Sequence, residues 1–154
     1  FGAELTYAGQ NLRNFSFDKD TQNISRRYRD FISILIMSLI AKRFERNEPP
    51  YTAEEISEEH QIPIRLTNQT LYQLQEINLI HEVVTDQKSE EIAYQPSMDL
   101  NQLNVAVVLD RLDTYGSENF KIDKEVEFSD EWRILVESRE EYYKKASKVL
   151  LKEL

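Results

Sequence analysis

The chain has 154 residues, 40% hydrophobic and 31% charged, with a net charge of −9 and no cysteine. That length supports one domain with a buried core, and the missing cysteines exclude disulfides and thiolate metal sites. The acidic balance disfavours non-specific nucleic-acid binding by the chain as a whole.

The first residues have helical spacing: Leu5, Ala8 and Leu12 recur at intervals of three and four. Residues 14–25 (NFSFDKDTQNIS) are polar and turn-forming, and read as a linker. Ser25 is a candidate N-cap for a helix over residues 26–46. Tyr28, Phe31, Ile32, Leu35, Ile36, Leu39, Ile40 and Phe44 would form one broad buried face of it. The longest apolar run, FISILIMSLIA, has 11 residues; a membrane span needs about 20, so the run reads as a core helix. Asn47, Glu48, Pro49 and Pro50 are expected to end it, since proline cannot continue a helix.

Thr52 with Glu55 matches a capping box at the start of a short helix in which Ile56 is the large apolar residue. His60, Gln61, Ile62 and Pro63 make a turn. A second helix follows over residues 64–78, with Leu66, Thr70, Leu71, Leu74 and Ile77. Residues 79–84 and 91–95 read as two strands, joined by a polar wing at 85–91. Helix, helix, hairpin in this order predicts a winged helix-turn-helix. Ser97 or Asp99 would cap a further helix over residues 100–112, with Gly116 just past its end. Residues 117–128 are charged and irregular. A last helix is expected from Asp130 to about Lys152, with acids early and lysines late, as the helix dipole prefers. The fold class is therefore mostly α with a small β-hairpin, a winged helix-turn-helix with flanking N- and C-terminal helices. Its units are residues 1–23, 24–116 and 117–154.

Charge opposes the usual use of this fold. Residues 51–116 hold three basic residues, Arg65, Lys88 and Arg111, against twelve acidic ones, which is the whole net charge of the chain. A DNA reader draws most of its affinity from Lys and Arg on phosphates.

The opening Phe1-Gly2-Ala3-Glu4-Leu5, with Tyr7-Ala8-Gly9-Gln10-Asn11, resembles the end of the last transmembrane helix in the YihY/BrkB family of bacterial inner-membrane proteins. Residues 50–56 (PYTAEEI), 74–80 (LQEINLI), 94–96 (YQP) and 105–115 (VAVVLDRLDTY) resemble the family's C-terminal cytoplasmic extension. The resemblance touches residues 1–12 and 50–116; residues 117–154 match nothing in it. It implies a membrane portion of about six spans before this segment, an inner-membrane location with this part facing the cytoplasm, and an old family label as a tRNA-processing ribonuclease. Arg13, Arg26, Arg27 and Arg29 would then be membrane-proximal basic residues, as cytoplasmic flanks are enriched in Lys and Arg and can lie against anionic headgroups.

No constellation for chemistry is visible. His60 and His81 lack metal-ligand spacing, and Glu54, Glu55, Glu58 and Glu59 read as a solvated acidic face rather than a cation site. No catalytic, cofactor or metal residue is assigned. The second helix offers Arg65, Thr67, Asn68, Gln69, Thr70, Gln73 and Gln75, types that read base edges; with so little positive charge nearby, Arg65, Asn68, Gln69 and Gln73 read instead as a protein-interaction face. Trp132, Tyr142 and Tyr143 on the last helix would fold back on the domain or pair with a second copy. The sequence-based reading is thus an interaction module of an inner-membrane protein. Its partners would be its own membrane domain, the adjacent membrane surface and a second copy, with nucleic acid disfavoured. The alternatives are a DNA-binding transcription regulator and a ribonuclease.

Overall fold

The computed structural model describes residues 21–154, so the expected segment 1–12 and Arg13 lie outside the described residues. Ser25 sits in extended backbone and its hydroxyl accepts the Tyr28 N–H at 3.1 Å, which starts α1 (Arg26–Glu45). The helix closes at Asn47, within the expected stop at 47–50. With φ at 54° Asn47 lets the Glu48 N–H donate to the Arg43 carbonyl at 3.0 Å, a Schellman closure.

The inner face of α1 is rotated from the expected stripe. Ile32, Ile36, Met37, Ile40 and Ala41 are buried, while Tyr28, Phe31 and Phe44 are about half exposed. Ser33 and Ser38 are buried as well. Their hydroxyls donate to the carbonyls of Arg29 and Leu35, so the core accepts them without an unsatisfied group.

Tyr51–Thr52 forms a two-residue strand, β1, that the sequence reading missed. Thr52 then caps α2 (Ala53–His60), its Oγ1 accepting the Glu55 N–H at 3.2 Å, as the capping box predicts. Gln61 turns the chain in left-handed backbone, and α3 (Ile64–Glu76) starts behind Pro63. β2 (Ile80–Asp86) and β3 (Glu91–Pro96) form the hairpin, with Val83 opposite Ala93. β1 pairs antiparallel with β3, so the sheet order is β1-β3-β2.

The next helix, α4 (Val105–Asp113), starts later than expected. Asp99 instead accepts the Asn101 N–H in a local turn, and Asn104 caps α4 through the Val107 N–H at 3.0 Å. The chain's end holds this stretch extended: Val105 N–H donates to Val149 O, and Leu151 N–H to Leu103 O. The same contacts end the last helix early. α5 is Ser129–Ala146, followed by a 3-10 turn, Leu151–Glu153, whose Leu151 is fully buried. One core cluster runs from Ile32 through Ile56, Leu71, Leu74, Leu79 and Val108 to Leu151. The fold is a mostly α winged helix.

Candidate nucleic-acid interface

α3 presents one face because the other is locked into the core. Leu66, Thr67, Thr70, Leu71 and Leu74 are buried. The Thr67 and Thr70 hydroxyls donate to the carbonyls of Pro63 and Leu66, which removes both from the expected base-reading set. Gln75 is also engaged, donating to Glu82 at 3.1 Å. Arg65, Asn68 and Gln69 are exposed together, and Gln73 is half-buried. Tyr72, which the sequence reading missed, is 64% exposed on the same face. The i, i+3, i+4 spacing of 65, 68, 69 and 72 was the available signal. Arg111 on α4 fixes the far end of α3 by donating to the carbonyls of Ile77 and Asn78 at 2.9 and 3.3 Å. Of the three basic residues in 51–116, it is therefore occupied within the fold.

The acids are also less free than their number suggests. Arg43 of α1 pairs with Glu55 at 2.9 Å and reaches Glu59 at 3.6 Å. The acidic face is solvated as expected, and two of its four glutamates are also held by an arginine. Glu76 accepts the Tyr115 hydroxyl, and Asp113 accepts that of Tyr143.

The two flanks of α3 differ in sign. Toward the wing, a cleft is lined by Glu54, Glu90 and Glu91 together with Asn68. Toward α1, a cleft of about 600 Å³ is lined by Arg26, Arg27, Arg29 and Arg139, with Gln73 on its α3 side and Asp30 and Asp113 as its carboxylates. A neighbouring cleft is lined by Arg29, Gln69, Tyr72, Gln73 and Glu76. Arg26, Arg27 and Arg29 make no ion pair with another described residue. Burial pushes the Asp30 carboxyl above its usual range, helped by Asp113 and opposed by Arg26 and Arg139.

The remaining candidates separate. No residue of α5 is buried; Trp132 and Tyr142 are 36% and 44% exposed, and Trp132 carries the Lys124 ammonium over its ring at 4.4 Å. Tyr143 is drawn inward by Asp113. His81 shares a hydrogen bond with Ser97 at 2.9 Å, and His60 stands edge-on to Tyr51. The two histidines thus keep separate partners, on α2 and β2. Among the described residues no group of three or more His, Asp or Glu side chains is placed to hold a metal ion.

Compared with known proteins, the chain matches no family profile and no curated protein. Solved structures match its fold. T. potens IscR aligns at TM-score 0.57 and 15% identity, covering 85% of each chain. A Listeria innocua protein assigned as a transcriptional regulator aligns at 0.55 and 12%, covering 80% of this chain and 81% of that one. CymR of B. subtilis, a global cysteine regulator, aligns at 0.56 and 13%, covering 84% and 93%. These likenesses support the winged-helix fold.

The expected role is corrected on this basis. CymR, one of the proteins that share this fold, is a global cysteine regulator, and the α1 arginines supply positive charge beside α3 that residues 51–116 lack. The expected interaction module with nucleic acid disfavoured therefore loses its electrostatic ground, the shortage of positive charge beside α3. The expected partnership with a membrane domain and the inner-membrane placement are corrected with it. No helix among the described residues is long and apolar enough to cross a membrane, and Arg26, Arg27 and Arg29 face a cleft beside α3.

Proposed function

We propose that this chain is a winged-helix regulator that binds duplex DNA through α3. The observation that carries the reading is the cluster Arg65, Asn68, Gln69 and Tyr72, exposed on one face of a helix whose opposite face is in the core. Asn and Gln amides pair with adenine edges, Arg pairs with guanine, and an aromatic ring can contact a thymine methyl. The likeness to IscR, CymR and a Listeria transcriptional regulator supports it at the level of fold. The test is selection from a random duplex pool, followed by anisotropy titration of the recovered sequence at low and physiological salt. A recovered consensus that loses its preference on Asn68→Ala with Gln69→Ala is the expected result. No binding to any duplex at about 50 mM salt, where phosphate contacts are strongest, would overturn the reading.

A further inference from the structure

We infer that this chain anchors the DNA backbone through the first turn of α1 and through Arg139 of α5, and not through its wing. The inference rests on the DNA-binding reading above and adds which surface takes the phosphates. Winged helices have two flanks available for the backbone on either side of α3. Here the wing-side flank is closed by charge: a phosphate beside Asn68 would face Glu54, Glu90 and Glu91, with Lys88 the one cation on the wing turn. The opposite flank has the required chemistry. Arg26, Arg27, Arg29 and Arg139 line one cleft against two carboxylates. One of those, Asp113, is already engaged by the Tyr143 hydroxyl and by Arg139 at 3.7 Å. The three α1 guanidinium groups have no ion-pair partner among the described residues, in a chain with 28 acidic side chains. Guanidinium is planar and presents paired donors that match phosphate oxygens, so adjacent arginines suit a phosphodiester backbone. The cleft also adjoins the base-reading face, because Gln73 lines it and a neighbouring cleft is lined by Arg29, Gln69, Gln73 and Tyr72, with Glu76 its one carboxylate. A strand lying along this flank would meet phosphate donors and base-edge donors without crossing the acidic wing.

The test is the slope of log affinity against log salt on the selected duplex. It compares the unaltered protein, the triple variant Arg26→Ala/Arg27→Ala/Arg29→Ala, Arg139→Ala, and Lys88→Ala. Each lost phosphate contact lowers the slope by about 0.9. The triple variant is expected to lose about 2 to 3 in slope with its sequence preference intact, Arg139→Ala about 1, and Lys88→Ala nothing. Asp30→Asn keeps every arginine and removes a carboxylate from the cleft, so tighter binding is expected, and this holds even if the triple variant folds poorly. A triple variant with the original slope, beside a Lys88→Ala variant with a reduced one, would place the phosphates on the wing and sink the inference while leaving DNA binding standing. Absence of DNA binding by the unaltered protein would remove both.

Discussion

The hydroxyl of Tyr143 on α5 donates to Oδ2 of Asp113, the last residue of α4, and Arg139 approaches the same oxygen at 3.7 Å. No residue of α5 is fully buried, though Val136, Arg139, Tyr143 and Ala146 are half-buried, and this polar contact ties α5 to the end of α4. Burial and the bonded carboxylate push the Tyr143 hydroxyl well above its ordinary pKa, so it stays a donor through mildly alkaline pH. Tyr143→Phe is expected to cost about 1.5–3 kcal/mol, the range for a hydrogen bond to a charged group. Urea unfolding would measure the loss, and hydrogen exchange should quicken in α5 more than in α3. An unchanged midpoint would mean that α5 is held by packing alone.

Arg43 ties three segments together. Its guanidinium lies 3.4 Å from the Tyr51 ring centroid, donates to Pro49 O at 3.1 Å and pairs with Glu55. Arg43→Lys keeps the charge and loses the planar fork. It is expected to destabilise the fold by roughly 1–2 kcal/mol. A melting temperature equal to that of the unaltered protein would show that charge alone matters at this position.

Reversing the acidic flank should open it. Glu90→Lys with Glu91→Lys replaces two carboxylates lining the wing-side cleft by cations. Affinity for duplex DNA is expected to rise, and the salt slope to steepen by up to about 2 as new phosphate contacts form. Salt-dependent anisotropy reads both quantities. An unchanged slope would mean that the wing stays clear of the backbone for steric rather than electrostatic reasons.

Asp30 links stability to pH. Burial and Asp113 raise its folded-state pKa despite Arg26 and Arg139. Its ionised form therefore opposes folding at neutral pH. The penalty fades as pH falls through the folded value, and is gone below the unfolded value of about 3.9. Asp30→Asn should melt at a higher temperature than the unaltered protein at neutral pH, with the difference closing in acid. A difference that persists in acid would trace the effect to packing.

Much of the fold was legible because its signals are local. Ser25 and Thr52 cap their helices as their side chains predict, and the turn at 61–63 and the hairpin follow from residues within four positions of one another. The exposed face of α3 was largely legible too, apart from Tyr72 and the two inward threonines. What the tertiary structure alone decided depends on distant partners. Two residues, Tyr51 and Thr52, have no periodicity and become a strand only by pairing with Ala93 and Tyr94. The start of α4 is set by the Asn104 cap together with the returning segment at 149–151, which holds residues 103–105 extended. The sign of the surface beside α3 was misjudged from 51–116 because its arginines come from α1 and α5. A charge count along the chain weighs sequence neighbours, whereas a phosphate responds to the charges that helix packing brings within a few ångströms of it.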